Sequence, residues 1–246
     1  MLNLFNRKKQ NKRQVFHLLT DLHSHLITAI DDGAQTEEDS IALLHGLFAL
    51  GYRNCIITPH IYQGLFNNKE QNILLGLEKL KALCESQKIP MKLEAAAEYF
   101  FDDHFFLLLE NKKLLTFGKN FVLFELPVQN RPMMLEDIIF KLNLAAYSPV
   151  LAHAERYVYF HDKKMRDYQA IREKGISFQV NLMSVTGYYG EPFKRAARDL
   201  IKNNMVDFLG TDAHRPNQLP VIAESLKDGL VQELIASGRL QNEKLS

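Results

Sequence analysis

Short apolar runs alternate along this chain with longer stretches whose apolar positions recur at helical spacing. The run around Leu18 to Leu22 leads to a segment in which Ile41, Leu44, Leu47 and Phe48 share one helical face. Thr36 stands where a hydroxyl caps free N–H groups, Asp39 holds the capping-box position, and Gly51 follows the predicted end. "NCIIT" is the second predicted strand, followed by a loop and the helical spacing of Ile73, Leu77 and Leu80. "MKLEAAAE", "FVLFE", "PVLA", "SFQVN" and "VDFLGTD" supply the third to seventh strands. Helices are predicted in "MLEDIIFKLNLAAY" and "RDYQAIREKG", and a last one around Ile222 to Leu234. Strands alternating with helices predict an α/β fold with a parallel sheet, here a distorted β/α barrel of seven units. The first strand is followed by no Gly-x-Gly-x-x-Gly and the chain has no Walker-type loop, which removes the main support for a nucleotide-binding sheet.

Composition changes this picture little. The chain has 246 residues, 46% hydrophobic and 24% charged, with a net charge of +1. That balance fits a soluble globular protein and gives no basic stripe for nucleic acid. Cys55 and Cys84 form no paired motif, which argues against a disulfide framework and for a reduced, cytoplasmic setting. Residues 1–16 read as a basic tail, with Arg7, Lys8, Lys9, Lys12 and Arg13 after a short apolar stretch, and 17–246 as one barrel domain. Charges that follow the apolar residues are in the wrong order for a signal peptide. The tail is expected to be solvated, with at most weak contact to an anionic membrane surface.

Chemistry collects at the strand ends. His23, His25 and Asp32 follow the first strand, and His60 the second. Glu98 and Glu125 end the third and fourth, and "HAER" after the fifth contributes His153 and Arg156. The sixth ends at Asn181, and "TDAH" after the seventh contributes Asp212 and His214. In a β/α barrel these ends converge on one face, where active sites lie. Residues two apart on a strand share a side, so His23 and His25 can enter one cavity, as can Asp212 and His214. Nine imidazoles and carboxylates exceed the needs of one ion, and clustered acids repel one another unless cations lie between them. Two or three divalent ions match the ligand count, and the lack of thiolates favours manganese, iron or zinc in an N/O site. Each residue also has an ordinary reading: a turn for one of Asp31 and Asp32, a cap or ion pair for Glu98 and Glu125, a packed imidazole for His17 and His45. All nine coinciding on one face is hard to reconcile with those readings.

With "DLHSH", "DDG", "TPH", Glu98, Glu125, "HAER" and "TDAH" in place, the chain resembles the polymerase-and-histidinol-phosphatase metallohydrolase superfamily. More narrowly, it is similar to the bacterial tyrosine phosphatases of capsule and exopolysaccharide gene clusters, from about Leu19 to about Arg215. The resemblance implies a trinuclear, commonly manganese-dependent centre held by His23, His25, Asp32, His60, Glu98, Glu125, His153, Asp212 and His214. It gives Glu98 a bridging role and makes Arg156 the phosphate-holding arginine. That family often has a second phosphate-contacting arginine several residues past the last histidine; here position 219 is a leucine, and Arg215 is the nearest candidate. The implied reaction is attack of a metal-bridging hydroxide on the phosphorus of phosphotyrosine, whose leaving group has a solution pKa of about 10. The implied substrate is the tyrosine-rich tail of a membrane-bound bacterial tyrosine kinase. Tyr62 and Phe66, on the loop after His60, and the pair Tyr188 and Tyr189 stand either to line a phosphotyrosine pocket or to pack their loops. The competing expectations are a small-metabolite phosphatase such as one for histidinol phosphate, a nucleic-acid phosphodiesterase, and a catalytically quiet metal-binding module.

Overall fold

The computed structural model describes residues 17–162 and 164–245, so the basic tail read over 1–16 lies outside the described residues. Its elements in chain order are β1 (Thr20–Asp21), α1 (Glu37–Ala49), β2 (Asn54–Ile57), β3 (His60–Ile61), α2 (Glu70–Ser86), β4 (Lys92–Ala95) and β5 (Glu98–Phe100). They continue with α3 (Asp103–Glu110), β6 (Phe121–Glu125), α4 (Leu135–Leu144), β7 (Ser148–Leu151), α5 (Arg166–Arg172) and β8 (Ser177–Asn181). The chain finishes with α6 (Leu182–Thr186), α7 (Glu191–Lys202), β9 (Phe208–Gly210), α8 (Leu219–Lys227) and α9 (Gly229–Ala236).

All strand pairs are parallel, in two sheets ordered β1-β2-β4 and β3-β5-β6-β7-β8-β9 that together form a half-barrel. Two of the expected strands are each interrupted. Thr58 and Pro59 separate β2 from β3, and Ala96 and Ala97 separate β4 from β5. Glu98 therefore does not end the third strand, as the apolar run suggested, but opens β5, where it pairs in register with His60. The run "MKLEAAAE" hides this break because alanine is equally at home in a strand or a bend.

Helix α1 starts as its sequence requires. The Thr36 hydroxyl accepts from Asp39 N at 3.2 Å and the Asp39 carboxylate accepts from Thr36 N at 3.2 Å. Leu43, Leu44 and Leu47 then bury one helical face. The last expected helix is broken in two, because Asp228 ends α8 and caps α9 through Leu230 N at 2.9 Å.

Along the strands, buried residues sort with a period of two into separate apolar clusters. Cys55, Ile57, Val122, Phe124, Leu151 and Leu209 pack with the helices. Leu22, Ile56, Leu123, Val150 and Phe208 pack with one another inside the sheet, sealed by Phe117 and Leu245. This inner cluster forms an apolar plug, and the polar residues of the site gather at and past the strand ends. Both cysteines are buried free thiols. Among the described residues no helix is long and apolar enough to cross a membrane.

Candidate metal centre

All nine residues singled out at the strand ends meet in one place. The Glu98 carboxylate lies at its middle, with Oε2 3.0 Å from His23 Nε2, 3.4 Å from His25 Nε2 and 3.3 Å from His60 Nδ1. Its Oε1 lies 2.9 Å from His153 Nε2. Asp212 Oδ1 stands 3.4 Å from His23 Nε2, 3.6 Å from His25 Nε2 and 3.4 Å from His214 Nδ1. Glu125 flanks His60 at 3.3 Å and His153 at 3.7 Å. Asp32, at the mouth, reaches His60 Nε2 at 3.5 Å and His214 Nε2 at 3.4 Å.

Three overlapping sets of these groups bring their donor atoms within 4.8 Å of one another: His25, Asp32, His60 and His214; His23, His25 and Asp212; and His60, Glu98 and Glu125. His153 joins them through Glu98.

The backbone takes unusual forms to make this possible. His153 and Asp212 have positive φ, 32° and 52°, a region that costs a non-glycine residue energy and recurs at functional sites. Two glycines permit close approaches. A Cβ at Gly33 would lie 2.2 Å from the His25 carbonyl oxygen, and one at Gly210 would lie 2.8 Å from His23 Cβ. The "DDG" motif thus needs its glycine for packing against His25.

Behind the imidazoles stands a second set of groups, of which sequence reading passed over Gln179 and gave Asp31 and Asn181 no supporting role. The Gln179 side-chain oxygen accepts from His153 N at 2.7 Å and lies 3.0 Å from His23 Nδ1. An amide oxygen can only accept, so His23 Nδ1 carries the proton and Nε2 faces the cavity. The Gln179 amide donates to Asn181 Oδ1 at 2.8 Å, and Asn181 donates to Asp212 Oδ2 at 2.6 Å. Asp31 does more than turn the chain: Oδ2 lies 2.7 Å from His25 Nδ1, and Oδ1 accepts from Gly33 N at 2.8 Å. His25 Nε2 is thereby aimed inward. Such outer partners fix ring orientation and proton position in metal-binding histidines. The strand alternation that places His23 inward could have flagged Gln179 on β8, but a lone glutamine in an apolar run carries no chemical signature.

The electrostatics are those of a site that requires positive charge. Burial opposes protonation of His23, but Glu98 and Asp212 outweigh it and push the imidazole up to about 10. Burial likewise opposes a charged His60, and Glu98 and Glu125 push it up to about 10. Burial would raise the Glu98 and Asp212 carboxyls, yet the surrounding imidazoles hold both well below the usual carboxylate range. Buried anions are thus balanced by protons on the rings. Two buried ring atoms, His25 Nε2 and His60 Nδ1, have no hydrogen-bond partner. Unpaired polar atoms at such depth are costly, and divalent ions would both pair them and replace the ring protons. The donor set, imidazole and carboxylate without thiolate, suits manganese, iron or zinc.

Above the centre a cavity of about 360 Å³ opens, lined among others by Tyr62, Phe66, Val128 and Arg156. Phe66 stacks on His60 with centroids 5.3 Å apart, and Tyr62 stacks on Phe100 at 3.8 Å. Arg156 lies on the 3-10 turn Ala154–Arg156. Burial works against its charge and Asp212 outweighs that, so it stays cationic. Glu155 anchors this turn by accepting from Ser184 Oγ at 2.6 Å and Asn181 N at 3.2 Å. Arg215 stands apart from the cavity lining, its guanidinium donating to the carbonyls of Gly33 and His214. It braces the "DDG" turn.

The tyrosine-protein phosphatase YwqE of Bacillus subtilis is 28% identical over 197 residues, covering 80% of this chain and 77% of its own length. The solved structures described as YwqE from Bacillus subtilis and CpsB from Streptococcus pneumoniae, metal-dependent tyrosine phosphatases, match with a TM-score of 0.82. That alignment is 26% identical and covers 92% of this chain and 94% of the other. Histidinol phosphate phosphatase of Lactococcus lactis shares the fold, with a TM-score of 0.55, 13% identity and coverage of 88% of this chain and 93% of the other. The family model for capsular polysaccharide synthesis, CpsB/CapC, matches residues 19–228, and the chain belongs to that family.

Proposed function

We propose that this protein is a metal-dependent phosphatase of phosphotyrosine in proteins, a phosphoric monoester hydrolase. Its relatives carry that activity in their names. The observation that carries the reading to this chain is the buried, anion-rich cluster, with ring nitrogens that face carboxylates without a hydrogen bond, set beneath a cavity that holds one arginine. In this reading His23, His25, Asp32, His60, Glu98, Glu125, His153, Asp212 and His214 hold two or three ions, manganese first, with iron or zinc as alternatives. The barrel, one domain over 17–246, has seven β/α units. Two features support that count: the interruptions at Thr58–Pro59 and Ala96–Ala97, which make single passages of β2–β3 and β4–β5, and the parallel bridge Ser24–Ala213 beside the first and last strands.

Divalent ions held by these residues would supply positive charge to the phosphoryl oxygens and would lower the pKa of water so that hydroxide is available near neutral pH. The residues do the rest. Arg156 offers planar, paired N–H donors to the phosphoryl oxygens, a geometry that suits bidentate contact. Gln179 and Asp31 hold the His23 and His25 rings in the orientation and proton state that ion binding requires, and Asn181 holds the Asp212 carboxylate. Tyr62, Leu65 and Phe66 present an apolar lip for an aromatic ring. A tyrosine leaving group needs little proton assistance, so no buried acid has to be assigned to it. The substrate is a phosphotyrosine protein, with a membrane-bound bacterial tyrosine kinase as its source, and the protein works in the cytoplasm near the membrane.

The test is metal content together with hydrolysis of a phosphotyrosine peptide before and after chelation, with histidinol phosphate as competitor substrate. Two or three ions per chain, and peptide turnover lost on chelation and restored by manganese, support the proposal. Preferred turnover of histidinol phosphate would move the substrate to a small metabolite. A metal-bearing protein without turnover would leave a binding module.

A further inference from the structure

One aromatic ring of the "GYYG" segment has no part in the metal centre, yet it lies against the cavity's arginine. The Arg156 guanidinium carbon stands 5.0 Å from the Tyr189 ring centroid. The nearest carboxylate oxygen to that guanidinium, Asp212 Oδ2, is 4.0 Å away. Among the described residues no hydrogen bond from the Arg156 side chain is present. Arginines that carry an ion pair spend their N–H groups on it, as Arg172 does on Asp207 at 2.8 and 3.2 Å. A π-face holds a guanidinium by a different force, attraction to the ring quadrupole, and leaves the in-plane N–H donors free.

The ring is itself built in. Gly187 ends α6 with φ 95° and Gly190 opens α7 with φ 112°, so the two tyrosines sit on a short turn between helices. Tyr188 N donates to Met183 O at 3.1 Å and Gly190 N to Gly187 O at 3.0 Å, which pins that turn. The Tyr188 ring meets Tyr189 edge-on at 5.0 Å. Helix α7 packs against the 3-10 turn that carries Arg156, and Glu155 ties that turn to Ser184 of α6. Ring and guanidinium are therefore held from the same side of the fold.

We infer that Tyr189 is a positioning residue: its ring holds the Arg156 guanidinium in place with its N–H donors unspent, ready for a phosphoryl dianion. The inference rests on the reading of Arg156 as the phosphate-binding group. It also assigns the paired tyrosines separate duties, Tyr189 beneath the arginine and Tyr188, 48% exposed, at the surface.

The experiment measures binding of radiolabelled inorganic phosphate to manganese-loaded protein by equilibrium dialysis, with metal content determined on the same samples. Tyr189→Leu removes the π-face and is expected to weaken phosphate binding by about 3- to 10-fold with metal content unchanged. Tyr189→Phe keeps the ring and is expected to retain wild-type phosphate affinity. In an Arg156→Ala background, Tyr189→Leu is expected to add nothing, because the group it positions is gone. Equal weakening by Tyr189→Phe and Tyr189→Leu would overturn the inference, as would a full Tyr189→Leu effect in the Arg156→Ala background. Unchanged phosphate binding in Tyr189→Leu would overturn it as well. If Arg156→Ala alone leaves phosphate affinity unchanged, the assignment of Arg156 fails first, and the two failures are told apart. Tyr189→Phe, which alters no packing volume beyond the hydroxyl, keeps the test open should Tyr189→Leu fold poorly.

Discussion

The inner and outer walls of the cavity are built on different terms. His23, His25, Glu98 and Asp212 are buried, and their positions are tied to neighbouring strands or to one another. Gln179, Asn181 and Asp31 back the proposed ligands with hydrogen bonds of 2.6 to 3.0 Å. At the lip, the Asp32 side chain is 55% exposed and Leu65 is 62% exposed. The loop carrying Tyr62 to Phe66 is tethered by Gln63 N donating to the Asp102 carboxylate at 3.0 Å. Buried charges must be placed closely because no water relaxes around them, whereas a lip residue can shift at little cost. On the proposed reading, the contrast assigns ion binding to the strand register and substrate choice to the loops. The lip can change its ring contacts without disturbing the centre.

That division can be broken most directly at its middle. Glu98→Gln removes the one carboxylate that faces four imidazoles, and it should lower metal affinity by more than about 100-fold and abolish peptide turnover. Metal content after gel filtration checks this, and full occupancy would dissolve the distinction between the walls. Gln179→Ala leaves every proposed ligand present but frees His23 and the His153 backbone, and should weaken metal binding by about 10- to 100-fold. Titration of the stripped protein with manganese reads it out.

Acidification tests the inner wall without mutation. His23 and His60 are each pushed up to about 10 when no ion is bound, so at neutral pH both carry protons that an ion must displace. The sign follows: metal affinity rises with pH towards that value and falls on acidification, by up to about tenfold per unit for each proton displaced. Calorimetry in buffers of different ionisation enthalpy measures the released protons, and binding that is flat with pH would contradict it. The smallest effect belongs to the lip. Phe66→Ala should raise KM for a phosphotyrosine peptide by about 3- to 10-fold with unchanged metal content, since it removes one aromatic contact. Loss of metal in that variant would mean that the stack on His60 supports the centre as well.

How much of this was legible beforehand varies by residue. The nine imidazoles and carboxylates were readable as a group because few other roles would put such residues at or beside six of the seven expected strand ends. The capping box of α1 was readable because Thr36 and Asp39 stand three apart. The bend at Ala96–Ala97 was not, since a run of small apolar residues looks the same straight or broken. Gln179 was missed as a partner because it lies 156 positions from His23, and Asp31, six from His25, because the turn before Gly33 already gave it a role. Arg215 was read towards phosphate from its place after His214, yet its guanidinium bonds the Gly33 carbonyl across 182 positions.

By itself the sequence determined the alternation of strands and helices, through the periodicity of its apolar residues, and the stock of candidate metal ligands, through their chemistry. Only the tertiary structure decided which of those groups face one another and which stand behind. It also left the Arg156 side chain without a hydrogen bond among the described residues, over the Tyr189 ring and 4.0 Å from Asp212 Oδ2. Periodicity and residue type are local properties of the chain, but hydrogen-bond partners, burial and the charges they shift depend on distances that exist only once the strands are side by side.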